Sequence, residues 1–454
     1  MRGGDAMSVA SVRTLVLGLG VTGLSVVRFL RDRGDVLAVA DTRDNPPGLD
    51  ALRREMPDVA VFVGGMAPTV LEHADRVVVS PGVTQDTPVL QAARERGLPV
   101  YGDIELFARH VDAPVAAITG SNGKSTVTTL VGLMSRELPQ VTRMGGNLGT
   151  PALELLDDSA GPAGLYVLEL SSFQLELTDS LTTRVSTVLN ISPDHMDRYA
   201  GLDEYAAAKR RILAHAGTAV LNREDTTVMA MAADAGQVVT FGLDQPPAET
   251  DYGLLSRDGE TWLARGDTPL LAASELLIPG RHNLANALAA LATGEAAGFP
   301  LEPMLRVLRT FPGLPHRSQW VACIGGVDFY NDSKATNPGA SLAAIEGLGR
   351  PLVLIAGGDG KDADFSVLAP AVRKHVRAVV LIGRDAGKLA EALDGCAELH
   401  RSESMGAAVR QAARLAQAGD AVLLSPACAS FDMFEGYEHR GRDFVAAVRE
   451  LETP

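Results

Sequence analysis

The stretch that decides the fold is TGSNGKST, residues 119–126, in a chain of 454 residues. The apolar run Pro114–Thr119 leads into it and a helical pattern follows, so the sequence predicts a strand, a glycine loop and a helix. Its segment Gly123-Lys124-Ser125 matches the end of a phosphate-binding loop, in which backbone amides cradle phosphates and the lysine reaches their oxygens. The strict motif has glycine where this chain has Ile118, but the flanking strand and helix favour phosphate binding over an ordinary β–α turn.

The composition is that of a folded globular protein with more than one domain. At about 100–200 residues per domain, the chain length corresponds to about two to four domains. Hydrophobic residues make up 46% and charged residues 21%, which excludes a disordered chain. With 41 basic and 56 acidic residues the net charge is −15, which argues against nucleic acid or an anionic membrane as the main partner. Three cysteines and no apolar run of about 18 residues predict a cytoplasmic protein without a disulfide framework or a transmembrane helix.

The order of short apolar runs, turns and helical patterns is typical of βαβ units with parallel sheets. This rhythm starts near residue 12, again near residue 114 and a third time near residue 351. Two stretches, Tyr101–Ala113 and Thr310–Pro315, separate the three segments, and the second contains the non-helical sequence FPGLP. We therefore expect an α/β protein with a parallel sheet in each segment.

A second glycine turn, GLGVTG at 18–23, lies near the N-terminus. It follows the predicted strand Thr14–Leu17 and opens a helix, and Asp41 ends the next strand 18 residues after the turn. This is the context of a dinucleotide-binding fingerprint, in which small residues let backbone amides and a helix N-terminus approach a diphosphate. The alternative is a tight turn that only packs the helix on the strand. Ser80-Pro81-Gly82 ends the predicted strand Arg76–Val79, at the sheet edge where ligands bind.

Carboxylate, imidazole and amine side chains follow in the central segment. Glu169 ends a predicted strand, where a carboxylate can hold the metal of a phosphate-loop protein; the alternative is that it points to solvent. The polar cluster Asn190–Asp197 contains His195 and suits Mg²⁺ or Mn²⁺; the alternative is a capped loop. Lys209 lies in the helical stretch Leu202–His215, where its local sequence indicates a solvated lysine.

Further polar groups follow in the second half of the chain. Asn283 and Asn286 lie three residues apart near the start of an alanine-rich helix and can read the edge of a base such as adenine; helix capping is the alternative. Three polar βα turns then follow predicted strands, at 331–337, 356–361 and 425–432. Because the carboxyl ends of parallel strands meet at one edge of a sheet, we expect these turns to line one crevice.

Together these motifs resemble the Mur ligases, ATP-dependent enzymes that add amino acids to the peptidoglycan precursor. The similarity covers all three segments in the family's order, from Gly18 to Arg442. The stretches Asp194–Tyr199 and Ser425–Phe434 are similar to those of the members that add D-glutamate. The resemblance implies a Rossmann-like domain for the uridine diphosphate part of the substrate, a central phosphate-loop domain for ATP and a Rossmann-like domain for the amino acid. The expected domain bounds are 1–104, 105–312 and 313–454.

The resemblance also implies a reaction and its residues. The carboxylate of UDP-N-acetylmuramoyl-L-alanine attacks the γ-phosphate of ATP, and the amine of D-glutamate then attacks the acyl phosphate, so that ADP and phosphate are released. The family's catalytic positions correspond to Lys124, Glu169, His195 and Lys209. Its ATP positions correspond to Gly120, Asn122, Gly123, Lys124, Ser125, Thr126, Asn283, Asn286, Arg317, Asp332 and Lys334. Its UDP-sugar positions correspond to Gly18, Val21, Thr22, Asp41, Thr42, Arg43, Ser80, Gly82, Asn147, Gln174 and His195, and its D-glutamate positions to Thr336, Lys361, Ser430 and Tyr437.

The implied cofactors are ATP, two Mg²⁺ ions, which Mn²⁺ can replace, and CO₂. By the resemblance, Ser125 and Glu169 hold one ion, and His195 holds the second together with a carbamylated Lys209. The carbamate matters because an ammonium group repels Mg²⁺, whereas a carbamate is a hard oxygen ligand. The family has phenylalanine where this chain has Tyr437, and the spacing between His195 and Lys209 is one residue shorter. We expect a cytoplasmic monomer that acts on small molecules and has no nucleic acid or membrane partner.

Other interpretations stay open at this point. A sibling Mur ligase or a folylpolyglutamate synthase-type ligase would use a different amino acid. The Asp-Asn-Pro-Arg stretch of the diaminopimelate-adding members does not occur in the third segment, and DNPP at 44–47 lies in the first. A nicotinamide-dependent dehydrogenase would use the turn at 18–23 but would leave Lys124, Glu169 and Lys334 without a role, and a non-catalytic nucleotide-binding regulator would leave them idle too.

Overall fold

The computed structural model describes residues 11–157, 159, 161–195, 198–278, 280–360 and 363–452. Its strands are β1 (Arg13–Leu17), β2 (Val36–Ala40), β3 (Ala60–Phe62), β4 (Arg76–Val79), β5 (Val100–Gly102), β6 (Val115–Thr119), β7 (Thr142–Gly146), β8 (Leu165–Glu169), β9 (Thr183–Val188), β10 (Ala216–Asn222), β11 (Gln237–Phe241), β12 (Tyr252–Arg257), β13 (Glu260–Arg265), β14 (Thr268–Ala272), β15 (Gln319–Ile324), β16 (Val327–Asn331), β17 (Leu352–Gly357), β18 (Val376–Ile382), β19 (Glu398–Arg401) and β20 (Ala421–Leu424). Its helices are α1 (Val21–Arg31), α2 (Leu49–Glu55), α3 (Pro88–Glu95), α4 (Asp103–Ala108), α5 (Lys124–Arg136), α6 (Ser172–Leu175), α7 (Leu202–Arg210), α8 (Thr226–Met229), α9 (Arg281–Ala296), α10 (Leu301–Thr310), α11 (Pro338–Gly347), α12 (Ala369–His375), α13 (Ala386–Ala392), α14 (Met405–Leu415) and α15 (Tyr437–Glu450).

The chain divides into two compact units. The first consists of Met1–Gly253, Arg265–Asp267 and Leu288–Met304. The second consists of Leu254–Ala264, Thr268–Ala287 and Leu305–Pro454. Each unit contains parallel βα repeats, so the prediction of an α/β protein is confirmed.

The first unit begins with a five-stranded sheet in the order β3-β2-β1-β4-β5. All four pairings are parallel, and Val16 of the central strand pairs with Val39 and Val78 on its two sides. These three valines are fully buried, which explains why β1, β2 and β4 read as continuous apolar runs in the sequence. The order of the strands reverses at β1, so the glycine turn that follows β1 lies at the switch point of the sheet, where such folds bind ligands.

The second sheet of the first unit runs in the order β7-β8-β6-β9-β10-β11 and is parallel throughout. The strand β6, which leads into the phosphate loop, is buried along its whole length between β8 and β9. This arrangement brings the ends of β6, β8 and β9 to one edge. The polar groups that follow these three strands in the sequence therefore lie near one another.

The second unit contains most of β12 and β13, all of β14, and a six-stranded sheet in the order β15-β16-β20-β17-β18-β19. Only β15 is antiparallel within the latter sheet. Since β16, β20 and β17 are neighbours, the three polar turns that follow them share one edge, as the sequence predicts. Within the described part of the chain, no helix has the length and apolar character needed to cross a membrane.

Candidate active site

The glycine turn after β1 opens into a cavity of about 660 Å³ in the first unit. Gly18 has a positive φ of 89°. A Cβ at Gly23 would lie 1.9 Å from the carbonyl oxygen of Gly18, so only glycine fits at position 23. The structure brings ten of the eleven residues expected to bind a UDP-sugar into the lining of this cavity. They are Gly18, Val21, Thr22, Asp41, Thr42, Arg43, Ser80, Gly82, Asn147 and Gln174.

The side chain of Asp41 fixes the conformation of this turn. Its carboxylate accepts hydrogen bonds from the backbone amide of Leu19 at 2.7 Å and from the guanidinium of Arg43 at 2.6 and 2.9 Å. Burial by itself would raise the pKa of Asp41, but the bonds from Arg43 and from backbone amides outweigh it and hold the pKa at about 2. Asp41 is therefore ionised at any physiological pH. It fixes the turn and Arg43 in place beside the cavity.

The phosphate loop joins β6 to α5 as the sequence predicts. Gly123 has a φ of 85° and precedes the first residue of α5, whose N-terminus no side chain caps. Lys124 folds over the loop, and its Nζ donates to the carbonyl oxygens of Gly120 at 2.9 Å and Ser121 at 3.0 Å. A helix N-terminus beside a lysine amine is a binding site for phosphate oxygens. The two hydroxyls expected at the ATP, those of Ser125 and Thr126, lie in the first turn of α5.

The segment after β9 holds the phosphate loop in shape. Asn190 Oδ1 accepts from the amide of Asn122 at 2.8 Å, and Asn190 Nδ2 donates to the Asn122 carbonyl at 3.0 Å. Ser192 donates its amide to Ser121 Oγ at 2.9 Å, and the phenol oxygen of Tyr205 lies 3.2 Å from the same Oγ. The resemblance did not assign roles to Asn190, Ser192 or Tyr205. Only the polar cluster after the strand indicated the first two.

Glu169 is the last residue of β8, and its side chain is buried rather than pointing to solvent. Its Oε1 accepts a hydrogen bond from Asn147 Nδ2 at 2.7 Å. No described residue donates a hydrogen bond to Oε2, which is also buried. A buried carboxylate oxygen without a donor is costly unless a cation neutralises it. Glu169 therefore fits a metal site, as the sequence predicts.

Lys209 is buried in α7 with 1% of its surface exposed, so the interpretation as a solvated lysine is wrong. Its Nζ donates to the Gly120 carbonyl at 2.8 Å and lies 4.6 Å from the ring centroid of Tyr205. Burial, and secondarily the positive charge of Lys124, lowers the pKa of Lys209 to about 7. Two amines, those of Lys124 and Lys209, thus share one carbonyl oxygen, and a large fraction of the second is uncharged near neutral pH.

His195 lies on an exposed loop and does not line the cavity of the first unit. Its φ is 55°, and its ring packs on Phe173 with the ring centroids 4.7 Å apart. Its Nε2 lies 3.6 Å from an Asp194 carboxylate oxygen. Among the described residues, no three His, Cys, Asp or Glu side chains are grouped as a metal site. The assignment of a second ion to His195 and Lys209 stays a prediction from the resemblance.

The second unit carries the remaining residues expected to bind ATP. Asn283 and Asn286 are buried on one face of α9, with Asn286 Nδ2 3.3 Å from Asn283 Oδ1. Asp332 accepts hydrogen bonds from Ser425 Oγ at 2.8 Å and from the amide of Ser318 at 3.0 Å, and burial raises its pKa to about 6. Asp332 thereby ties the turn after β16 to the turn after β20. Arg317 is exposed in the loop before β15.

Three of the four residues expected to bind D-glutamate lie around the same sheet edge. Thr336 is exposed, Ser430 is buried, and Tyr437 begins α15 with its ring centroid 5.2 Å from Lys334 Nζ. Lys361 lies outside the described residues. Two bonds between the backbones of Asp359 and Ala429, at 2.9 and 3.0 Å, join the turns after β17 and β20.

Arg440 joins the turns after β16 and β20 from inside the second unit, and no motif in the sequence predicted this role. Only 1% of Arg440 is exposed, and its guanidinium donates to Ser333 Oγ at 3.0 Å, to the Ser333 carbonyl at 2.8 Å and to the Cys428 carbonyl at 3.0 Å. Burial lowers the pKa of Arg440 to about 10. A distant arginine in an amphipathic helix has no local signature of such a role, because its partners precede it by up to 107 residues.

Comparison with known proteins gives a consistent family. Three family models match in order: the Mur ligase MurD-like N-terminal domain over residues 12–102, the Mur ligase middle domain over 118–294, and the Mur ligase glutamate ligase domain over 316–428. A protein of Methylococcus capsulatus named UDP-N-acetylmuramoylalanine–D-glutamate ligase is 54% identical over 97% of this chain and 95% of its own. A protein of the same name from Pseudomonas putida is 56% identical over 96% of this chain and 97% of its own.

Solved structures share the fold. The UDP-N-acetylmuramate-alanine ligase of Thermotoga maritima matches with a TM-score of 0.57 and 19% identity, over 96% of this chain and 99% of that one. A ligase of Acinetobacter baumannii that adds D-alanyl-D-alanine matches with a TM-score of 0.56 and 19% identity, over 93% of this chain and 90% of that one. At these identities the likeness concerns the fold alone.

Proposed function

The chain belongs to the Mur ligase family, and we propose that it is the ATP-dependent ligase that joins D-glutamate to UDP-N-acetylmuramoyl-L-alanine in peptidoglycan synthesis. The substrate choice rests on the named relatives, which are 54% and 56% identical over nearly the whole chain. The match of all three family models in order supports the same reading. Through the cell wall, this activity serves cell shape and cell division.

The observation that carries the chemistry is the meeting of three groups at the end of β6. Lys124 and Lys209 both donate to the carbonyl of Gly120, and the buried Glu169 ends the neighbouring strand β8. A dehydrogenase or a passive nucleotide-binding protein has no use for two amines and a donor-free carboxylate oxygen around a phosphate loop. A phosphoryl transfer to a carboxylate requires this kind of charge arrangement, because negative charge accumulates on the transferred group.

The residues of the first unit act on the two nucleotide substrates. The cavity after β1 binds the uridine diphosphate, with the amides of the glycine turn on the diphosphate and Arg43 beside it. The loop 120–126 binds the phosphates of ATP, and Lys124 exchanges its loop carbonyls for β- and γ-phosphate oxygens. The substrate carboxylate attacks the γ-phosphate, ADP leaves, and an acyl phosphate remains.

The donor-free Oε2 of Glu169 fits Mg²⁺, with Ser125 as a second ligand. When bound, the ion neutralises charge on the phosphates during transfer. His195 and Lys209 are the proposed residues for a second ion. Lys209 serves there as a carbamate, since a buried amine with a pKa of about 7 has the uncharged nitrogen that attack on CO₂ requires. In the second unit, the residues proposed for ATP are Asn283, Asn286, Arg317, Asp332 and Lys334.

The turns of the second unit receive the amino acid. Thr336, Lys361, Ser430 and Tyr437 bind D-glutamate, and its amine attacks the acyl carbon and displaces phosphate. The hydroxyl of Tyr437 adds a polar group to this site that phenylalanine lacks. We propose that the enzyme works as a monomer in the cytoplasm, where ATP and nucleotide-linked sugars are available.

The test is an amino-acid panel in a phosphate-release assay. Phosphate should appear only when ATP, Mg²⁺, UDP-N-acetylmuramoyl-L-alanine and D-glutamate are all present. Omitting each component in turn provides the controls, and mass spectrometry of the product identifies the new amide. Equal phosphate release with L-alanine or diaminopimelate in place of D-glutamate would exclude the proposed specificity.

A further inference from the structure

Arg198 lies in the first unit, three residues after His195, and its guanidinium is almost completely enclosed. Nη1 donates to the carbonyl of Pro81 at 2.8 Å, and Nη2 donates to the carbonyl of Val83 at 3.3 Å and to Glu176 Oε2 at 2.7 Å. The guanidinium carbon lies 4.0 Å from the ring centroid of Phe173. Only 9% of the Arg198 side chain is exposed. Neither the motifs nor the resemblance assigned it a role.

The carbonyl partners of Arg198 belong to the loop that closes one side of the nucleotide cavity. Ser80, Pro81, Gly82 and Val83 all line this cavity. Ser80 Oγ donates to the Gly18 carbonyl at 2.9 Å, which joins the loop to the glycine turn. Arg198 therefore holds the 80–83 loop without itself lining the cavity.

The other partners of Arg198 belong to the surroundings of His195. The amides of Arg198 and Tyr199 donate to the His195 carbonyl at 2.9 and 3.2 Å. Phe173, under the guanidinium, is the residue on which the His195 ring packs. Glu176 accepts from Tyr199 Oη at 2.5 Å as well as from Arg198. One side chain thus joins the nucleotide loop to the loop that presents His195.

From these contacts we infer that Arg198 is a positioning residue that couples binding of the UDP-sugar substrate to the placement of His195. The inference rests on the proposed function, because that function gives the cavity and His195 their ligands. Only a planar fork reaches two carbonyls and a carboxylate while it stacks on a ring, so lysine is not an adequate replacement. Among the described residues, the phosphate loop bonds to Asn190, Ser192 and Tyr205 and has no hydrogen bond with Arg198, so we expect ATP binding to be independent of Arg198.

The experiment compares Arg198→Lys with Arg223→Lys. Arg223 is a matched control, since 10% of its side chain is exposed. It also donates to two backbone carbonyls, of Tyr252 and Asp244, and to the side-chain carboxylate of Asp244. It does not line the nucleotide cavity. Calorimetry measures the Kd of UDP-N-acetylmuramoyl-L-alanine and, separately, of an unreactive ATP analogue, and steady-state assays measure kcat.

For Arg198→Lys we expect the Kd of the UDP-sugar to rise about tenfold, from the loss of charge-assisted bonds, and kcat to fall as well. The Kd of the ATP analogue should stay at the wild-type value. Arg223→Lys should leave both Kd values unchanged. If Arg198→Lys does not fold, Glu176→Gln replaces it and should raise the Kd of the UDP-sugar about threefold, because the bonds to the carbonyls remain.

Two results would overturn the inference: wild-type Kd and kcat in the Arg198 variant, or an equal loss of affinity for both nucleotides, which would indicate general destabilisation. Failure of the wild-type protein to bind UDP-N-acetylmuramoyl-L-alanine is a different outcome. It would reject the proposed function itself, and the two failures are therefore distinguishable.

Discussion

The two glycine turns of the first unit have the same local design and opposite electrostatics. Each turn follows a buried parallel strand and opens a helix that no side chain caps. Under the turn at 18–23 lies a carboxylate, Asp41, with a pKa of about 2. Over the turn at 119–126 lie two amines, those of Lys124 and Lys209, which share a carbonyl of the loop.

The difference matches the role that we propose for each turn in binding phosphate. A diphosphate that stays intact needs only neutral amides and a rigid cradle, and Asp41 provides rigidity by fixing the Leu19 amide and Arg43. A phosphate that is transferred gathers charge in the transition state, and cationic or metal-binding groups must already be in place to stabilise that charge. The shared backbone motif therefore accounts for phosphate binding at both turns, whereas the side chains around each turn decide whether the phosphate is only bound or is also transferred.

The largest expected effect is at Lys209. In Lys209→Ala, kcat should fall at least about a hundredfold, because the variant loses the proposed carbamate ligand of the second ion. Lys209→Arg should not restore activity, since a guanidinium cannot form the carbamate. Affinity for UDP-N-acetylmuramoyl-L-alanine should not change in either variant, since the amine lies at the other turn. Phosphate-release kinetics and calorimetry provide the two measurements.

Lys374→Ala, at an exposed position of α12, is the matched control and should behave as the wild type. In ¹³C NMR spectra of protein equilibrated with ¹³C-labelled bicarbonate, a carbamate signal should be present in the wild type and missing from Lys209→Ala. Because the pKa is lowered to about 7, the uncharged amine, and with it the signal, should increase from pH 6 to pH 8. Full activity of Lys209→Arg would remove the carbamate from the mechanism.

Glu169→Gln should change the dependence of the reaction rate on Mg²⁺ at the turn 119–126. The amide can still accept from Asn147 but places an NH₂ group or a neutral oxygen where Oε2 now lies. The Mg²⁺ concentration for half-maximal rate should rise about 10- to 100-fold, while UDP-sugar binding stays unchanged. Titration of the rate with Mg²⁺ measures this shift.

Glu105→Gln serves as the control for Glu169→Gln, because Glu105 is equally buried but accepts from the amides of Asp179 and Ser180 and from Arg109. It should lower stability without changing the Mg²⁺ titration. The same Mg²⁺ titration in Glu169→Gln and in the wild type would show that the carboxylate is not a ligand.

Asp41→Asn should instead weaken binding of the UDP-sugar at the turn 18–23. Loss of the ion pair with Arg43 and weaker bonding of the Leu19 amide should raise the Kd of the UDP-sugar about tenfold, with no change for an ATP analogue. A carboxyl with a lowered pKa stabilises the fold above its unfolded value near 3.8, and this contribution is lost as pH falls towards 2. The Tm of the variant should therefore lie below that of the wild type at pH 7, and the gap should narrow at pH 3.

Asp75→Asn separates stability from binding. Asp75 also has a pKa of about 2, from its pairing with Arg13, but it lies at the opposite end of β1 and outside the cavity. Because this ion pair is exposed and screened by solvent, Asp75→Asn should lower the Tm less than Asp41→Asn does, with the same direction of pH dependence, and should leave the Kd unchanged. An Asp75 variant that loses UDP-sugar affinity as strongly as Asp41→Asn would break the comparison.

The sequence predicted what depends on local pattern and on strand order. The structure confirms both strand–turn–helix units and the shared edge of the three turns in the second unit. It also confirms that Glu169 lies at the end of a strand. The burial of Lys209 was not predictable, because Ala-Ala-Ala-Lys-Arg-Arg reads as a solvated helix and its acceptor, Gly120, lies 89 residues away. The roles of Arg198 and Arg440 were not predictable for the same reason, since the carbonyl partners of Arg198 precede it by 115 and 117 residues.

The smallest expected effect, at Ser80, tests how far rigidity alone explains binding at the turn 18–23. Ser80 is buried, and its hydroxyl bonds to the carbonyl of Gly18, whose φ is positive. Ser80→Ala removes one neutral hydrogen bond without changing any charge, so the Kd of the UDP-sugar should rise only about two- to fivefold. Ser135→Ala removes the hydrogen bond of another buried hydroxyl, in α5, and should not change the Kd. If Ser80→Ala weakened binding as much as Asp41→Asn, the hydroxyl would have to contact the ligand itself, and the turn would hold its diphosphate by more than its backbone.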